Sequence, residues 1–237
     1  MKRVPRLKEI QVHRKAILVG NSDGIGLAAT RRLLAAGWDI IGVSKNASPV
    51  TSTTYYHRVA DVSDIKYSDV MAELVLRGPL DLCIYFAGIG EPLDPLDMSR
   101  EARIIDVNLT GMVRTAAAVI PSMVRRGQGH FMGVSSMADE LLSAEAPSYH
   151  ASKAGVSNYL GGLALALKPK GVNVTNVRFG FVDTKMAKGD VKPFMMTVER
   201  AVDHLESCIS KKPMSYTAPR IAIPLVKFRK FMMRLGA

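Results

Sequence analysis

The chain is poor in the residues that build disulfide or metal scaffolds. Two cysteines, Cys83 and Cys208, are too few and too far apart among 237 residues for a disulfide framework or a zinc cluster, so they read as small buried hydrophobes in a reducing cytoplasm. No His, Cys or carboxylate group has metal-ligand spacing, and no metal is expected. Long apolar runs are missing as well. The longest, Leu160 to Leu167, is eight residues including two glycines, against the ~20 a bilayer span needs. The basic start MKRVPRLKEIQVHRK has no apolar run behind it, so no secretion signal is expected. There is no internal repeat, and no run of Pro, Gly and Ser divides the chain. Stacking aromatics interleaved with cations and a helix-turn-helix pattern are both lacking, which argues against a nucleic-acid partner.

Acidic residues are scarce, 21 against 32 lysines and arginines, for a net charge of +11. The imbalance is local. Residues 1–15 carry six cations and one acid, and residues 211–237 carry seven cations and no acid, which leaves 19 basic and 20 acidic residues between them. The body is near neutral, so the charge speaks of where the two ends dock.

The remaining composition, 48% hydrophobic and 22% charged, is that of one globular domain spanning 1–237. Short apolar runs alternate with helical patterns, the signature of βαβ units. Strands are predicted at Ala16–Gly20, Asp39–Ser44, His57–Ala60, Leu82–Phe86, His130–Ser135 and Val172–Phe179, with one more short strand near the end. Helices are predicted from Gly24 to about Ala36 and at Ile65–Arg77, Glu101–Arg126, Ser148–Lys168 and Val198–Ser210. Right-handed crossovers then give a doubly wound sheet of five or six parallel strands, three-layer α/β/α and Rossmann-like.

The first strand runs into Gly20-Asn21-Ser22-Asp23-Gly24-Ile25-Gly26 and then a helix. Glycines in such a turn let backbone approach a pyrophosphate at the helix N-terminus. At the carboxyl end of the second strand stand Ser44 and Lys45, a hydroxyl and a cation that suit a 2'-phosphate, so NADP(H) is preferred and NAD(H) is the alternative. Tyr149 and Lys153 are four apart on a helical pattern and leave the same face. A fixed ammonium one turn away is expected to lower a phenol pKa from ~10 towards useful acid-base chemistry. Ser136 lies thirteen residues before Tyr149, at the carboxyl end of a strand.

These motifs, with Asp61-Val62, Tyr85-Phe86-Ala87-Gly88, Asn108 and Val182-x-Thr184, occur in an order that resembles the short-chain dehydrogenase/reductase family from about Ala16 to Thr184. The resemblance implies hydride transfer between nicotinamide C4 and a ketone or secondary alcohol, with Tyr149 as general acid or base. It implies that Ser136 orients the substrate oxygen, that Lys153 binds the nicotinamide ribose and depresses Tyr149, and that Asn108 holds a water in a proton relay. It also implies that Asp61 and Val62 contact adenine, that Ala87, Gly88 and Gly180 line the cofactor, and that Val182 and Thr184 reach its carboxamide. Three departures stand out. Val19 replaces a threonine whose hydroxyl braces the glycine turn, Tyr85-Phe86 replaces an asparagine start of the fourth-strand motif, and Phe179-Gly180 replaces a Pro-Gly after the sixth strand. His150 reads as a surface or packing residue.

Met137, Leu141, Leu142, Phe181, Met186, Phe194, Met195 and Met196 are apolar residues of the segments that vary most in this family, which suggests a small apolar carbonyl or alcohol substrate. Two alternatives are weighed. One is reduction of 3-oxoacyl groups on an acidic acyl carrier protein docked at Arg125, Arg126 and Lys170, and the other is a cofactor-binding regulatory or interaction protein with little turnover. A homodimer or homotetramer is expected, although the family's closing Gly-Gly segment is replaced by residues 220–237, a basic amphipathic tail. Such a tail can lie on an anionic membrane. It can equally cover an edge of its own or a partner subunit, the reading favoured because Lys227 and Lys230 interrupt the apolar face.

Overall fold

A computed structural model describes residues 14–187 and 193–234. Its centre is a parallel sheet of seven strands in the order β3-β2-β1-β4-β5-β6-β7. They are β1 Lys15–Val19, β2 Asp39–Ser44, β3 Tyr55–Val59, β4 Leu82–Tyr85, β5 Gly129–Ser136, β6 Val172–Phe179 and β7 Ser215–Ala218. The sheet exceeds the five or six strands expected because the short strand expected near the end, Ser215–Ala218, pairs in parallel with β6 and joins it.

Among the described residues seven helices cover the two faces: α1 Gly24–Ala35, α2 Tyr67–Val75, α3 Ser99–Ile105, α4 Gly111–Arg126, α5 Pro147–Leu167, α6 Val198–Lys211 and α7 Ile223–Arg234. Alternation along each strand divides the core. Ile17 and Val19 face Met71, Met112, Val119, Val156 and Leu160, while Ala16 and Leu18 face Ala29, Leu33, Val202 and Leu205. Each large aliphatic side chain buried in these layers contributes roughly 1.5–3 kcal/mol. α2 is two residues shorter at each end than its pattern suggested, because the Asp64 carboxylate accepts from the Lys66 amide at 2.8 Å and holds a turn before the helix. The segment Ser99–Arg126 is long and apolar enough to cross a membrane by length and composition. Here it serves as a core helix, packed on α2 and β5.

That long helix is not regular. Between α3 and α4, residues Asp106–Thr110 form one π-helical turn that carries Asn108, and such turns recur at functional sites. Successive strands lie to one side of β1 until β3, and the chain then returns to add β4 on the other side. Ligands of doubly wound sheets bind at that reversal, outside the carboxyl ends of the strands.

Candidate active site

The glycine turn leaves the carboxyl end of β1 at the point of reversal. Gly20 has φ +83°, and a Cβ there would lie 2.4 Å from the Ala87 amide nitrogen, so only glycine lets the turn close against the chain leaving β4. A Cβ on Gly26 would lie 2.3 Å from the Gly20 carbonyl. Asp23 caps α1 by accepting from the Gly24 amide at 2.8 Å and pairs with Lys185 Nζ at 2.7 Å. Those two contacts, Lys185 first, hold its carboxyl below the usual range. The Asp23 charge is thereby offset at the mouth of an otherwise electropositive helix end. Thr184 Cγ2 lies 3.3 Å from where a Gly24 Cβ would be, so the segment after β6 folds over the turn.

The Asn21 side chain turns into the protein. It is buried beneath β2, where Nδ2 donates to Thr30 Oγ1 at 3.0 Å and to the Tyr55 hydroxyl at 2.9 Å. Val19 has no hydroxyl to brace the loop, and Asn21 does so from below. Thr30 in turn donates to the Gly26 carbonyl at 2.8 Å.

At the end of β2, the Ser44 hydroxyl donates to the Asn46 carbonyl at 2.9 Å and lies 3.2 Å from His57 Nε2. His57 Nδ1 meets the Tyr55 hydroxyl at 2.8 Å. A chain from Asn21 through Tyr55 and His57 to Ser44 therefore stiffens this edge. Lys45 Nζ and Arg103 Nη2 approach the Asp61 carboxylate at 3.6 and 3.3 Å. Burial opposes the Asp61 charge, but hydrogen bonds from Ser63 and these two cations outweigh it, and the carboxyl sits below its ordinary value. Val62 is buried beside Gly111.

Deeper in the crevice, Asn108 grips the chain after β4. Oδ1 accepts from the Ile89 amide at 2.8 Å, and Nδ2 donates to the Ile89 carbonyl and to Ser152 Oγ, both at 2.9 Å. Both amide hydrogens are therefore engaged within the chain. Gly88 sits against it, its Cβ position 3.4 Å from Asn108 Oδ1, 3.5 Å from Lys153 Nζ and 3.8 Å from Met186 Cε.

α5 carries Tyr149 and Lys153 on the face turned to this crevice, and β5 ends at Ser136. The Tyr149 ring packs on Gly90, whose Cβ position lies 2.9 Å from the ring. Burial raises Tyr149 above the ordinary phenol value, with the Ser136 hydroxyl opposing that shift and the Asp139 carboxylate adding to it. Burial also pulls Lys153 down to about 8. The expected depression of Tyr149 by Lys153 is not what this geometry produces. Nζ lies 5.8 Å from the ring centroid and donates to the Val134 carbonyl at 3.1 Å, so burial governs both groups.

The substrate-side residues divide. Met137 is buried against Gly180. Leu141 and Leu142 line a cavity of about 400 Å³ with His150. His150 donates from Nδ1 to the Leu141 carbonyl at 2.9 Å and meets the Tyr149 ring edge-on. Met195 joins Phe194, Met196 and Ile221 around a second cavity of about 230 Å³. Met186 reaches Gly88, Phe181 is partly exposed, and Val182 bridges to Met196. The Gly180 amide donates to Ala218 at 2.8 Å.

Sequence reasoning passed over an ionic cluster behind Ser136. Arg178 donates to Asp139 through Nε and Nη2, both at 2.7 Å, and through Nη2 to Glu140. Ser157 donates to Asp139, and its oxygen lies 2.9 Å from both Ser135 Oγ and Asn176 Nδ2. No local spacing signals a pair whose members are so far apart in the chain. Among the described residues no group of His, Cys, Asp or Glu could hold a metal ion.

A family model described as short chain dehydrogenase matches residues 14–193. The chain is 29% identical over 228 residues to an uncharacterized oxidoreductase of Myxococcus xanthus, covering 90% of each. It is 31% identical over 194 residues to cis-4-hydroxycyclohexanecarboxylate dehydrogenase of Sinomonas cyclohexanicum, covering 76% of this chain and 78% of that one. Its fold superposes with a TM-score of 0.81, at 22% identity and with 91% and 92% of the chains covered, on a short chain dehydrogenase of Burkholderia cenocepacia J2315 in complex with NADP. A glycine turn at the sheet's reversal, a tyrosine and lysine turned into the same crevice and a match over most of the chain have one common explanation: this protein belongs to the short-chain dehydrogenase/reductase family and is an NAD(P)(H)-dependent oxidoreductase.

Proposed function

We propose that the protein transfers hydride between NADP(H) and an apolar ketone or secondary alcohol, with Tyr149 moving the proton. The observation that carries this reading is the convergence of Ser136, Tyr149 and Lys153 on the crevice beside Gly88 and Asn108. The residues present fit a dinucleotide. The turn Gly20–Gly26 brings bare backbone to the start of α1, whose first amide groups have no partners within the helix, and Lys185 offsets the Asp23 charge that would repel a pyrophosphate. Lys45, at the edge of β2, supplies the cation that favours a 2'-phosphate. When bound, the cofactor supplies or accepts the hydride.

The chain's own groups handle the proton and the geometry. Burial keeps Tyr149 protonated at neutral pH, which suits donation to a carbonyl oxygen as charge develops there. Ser136 orients that oxygen. Lys153, buried and held by Val134, places its charge where a nicotinamide ribose and the reacting oxygen meet. Asn108 acts as a positioning residue, fixing the Ile89 backbone and Ser152 below Lys153. The cavity beside His150 is lined by Leu141 and Leu142, which favours an apolar substrate.

The carrier-protein alternative loses its docking patch. Arg125 and Arg126 end α4 just before β5, and Lys170 just precedes β6, so all three lie at the amino edge of the sheet, opposite the crevice. Arg126 is in addition tied to Asp81 at 2.8 Å and to the Leu80 carbonyl at 2.9 Å.

Consumption of NADPH by purified protein with a panel of apolar ketones tests the proposal. Tyr149→Phe is expected to lower kcat by about 10²- to 10⁴-fold without loss of NADPH binding. Unchanged turnover in that variant overturns the mechanism, and tight NADPH binding without turnover on any substrate points to the regulatory alternative.

A further inference from the structure

We infer that α7 is a docking face for an anionic lipid surface. The inference is independent of the reaction proposed above. At 100° per residue, the helix sorts its side chains into two unlike faces. Ile223, Val226 and Lys230 turn towards the protein and are half-buried. Leu225, Phe228 and Phe231 turn away from it and are 43%, 61% and 58% exposed. Lys230, which on the sequence seemed to break the apolar stripe, is on the inner face, where Nζ donates to Glu140 at 3.1 Å. Lys227 and Arg229 lie on opposite flanks of the stripe, both exposed, and neither makes an ion pair among the described residues. The outward face is therefore uninterrupted and apolar, with a free cation on either side.

Further exposed apolar residues lie just before the helix. Ile221, 67% exposed, shares a cavity with Phe194 and Met195, which are themselves exposed. Contiguous apolar surface rimmed by charge marks an interaction site, and an in-plane helix of this pattern enters the headgroup boundary with its cations meeting anionic lipid. Charge chooses among occupants. Residues 211–237 contain seven cations and no acid, so a two-fold contact between copies through this face would set Lys227 and Arg229 against their own kind. An anionic bilayer carries the complementary charge.

Anchorage gives the surface a consequence. Glu140 holds Lys230 on one side and Arg178 on the other, and it ends the turn that begins at Ser136. A docked α7 thus ties the turn after Ser136 to the bilayer surface.

Sedimentation of the full-length protein with vesicles tests this. Binding is expected to vesicles of phosphatidylcholine with one third phosphatidylglycerol, to be weak on phosphatidylcholine alone, and to fall with salt. Phe228→Ser with Phe231→Ser should lower partition by about 10- to 100-fold, and Lys227→Glu with Arg229→Glu should abolish the preference for anionic lipid, both with unchanged circular dichroism and NADPH binding. Absence of binding to anionic vesicles overturns the inference. So does a lower oligomeric state of the Phe variant in light scattering with vesicle binding unaltered, because the face would then belong to a second copy.

Discussion

Replacing Arg178 with methionine tests how much of the catalytic edge rests on one ion pair. The guanidinium makes two charge-assisted hydrogen bonds of 2.7 Å to Asp139 and another to Glu140, and the Asp139 side chain is only 3% exposed. Methionine keeps much of the volume and removes the charge. Asp139 would retain the Ser157 hydroxyl alone. Hydrogen bonds to charged groups contribute about 1.5–3 kcal/mol each, so two lost on Asp139 come to roughly 3–6 kcal/mol. Breaking one side of a buried pair costs about 3–5 kcal/mol, and the two routes agree. For a chain of this length each kcal/mol moves Tm by about 2–4 °C, so a fall of about 6–20 °C is expected, with the urea midpoint lowered at unchanged m. Asp139→Leu added to the variant removes the stranded carboxylate, and the double variant should be more stable than Arg178→Met. A single variant within about 1 kcal/mol of wild type, or a double variant no better than the single, refutes the account.

Three further outcomes are expected. His130 is buried, shares its Nε2 proton with Thr175 at 2.8 Å, and has no partner for Nδ1 among the described residues; burial, then Lys212, lowers it from 6.5 to about 4. The unfolded chain therefore binds the proton first, and stability present above pH 6.5 is lost as pH falls towards 4, by up to about 3 kcal/mol; His130→Gln should flatten that limb of the urea midpoint against pH, and an unaltered slope contradicts it. Tyr85→Phe removes a 2.6 Å hydrogen bond to the Val107 carbonyl and should cost about 1–3 kcal/mol in chemical denaturation, with a slower turnover because the turn holding Asn108 loosens; wild-type stability would dismiss the brace. Lys45→Ala should weaken NADPH about 10-fold, in keeping with one charge-assisted contact to phosphate, and leave NADH unchanged in fluorescence titration; an unchanged ratio removes the basis for NADP preference.

What was legible in the chain was what is written at short range. The turn Gly20–Gly26, the strand before it and the Tyr149–Lys153 spacing are patterns within a few residues, and each lies where its pattern placed it. The short strand near the end was legible, but that Ser215–Ala218 extends the parallel sheet beside β6 was not, and the π-helical turn at Asn108 is an irregularity inside a helical pattern that periodicity reads as continuous. The two faces of α7 depended on which side met the protein. Lys230 looked like a flaw in an apolar stripe because its partner, Glu140, is 90 residues away.

Two of the departures from the family pattern resolve the same way. Val19 cannot brace the glycine turn, but Asn21 reaches from within that turn to Thr30 and Tyr55, in space that exists because residue 42 is glycine, where a Cβ would meet the Tyr55 hydroxyl at 2.3 Å and Asn21 Nδ2 at 2.5 Å. Tyr85 brings a longer side chain where an asparagine is usual, and its hydroxyl fits beside Gly111, whose Cβ position lies 2.4 Å away, to bond the π-helical turn. In each case a lost local bond is replaced by a polar group and a glycine that makes room for it. Such paired changes hold the loops proposed to receive the cofactor, and a scaffold that has those loops along with Ser136, Tyr149 and Lys153 fits the proposed chemistry better than a fold kept only for its shape. Gly42→Ala should accordingly displace Asn21 and Tyr55 and weaken cofactor binding although residue 42 lines no part of the crevice; an alanine variant with full affinity in titration would show that the brace beneath the turn is dispensable.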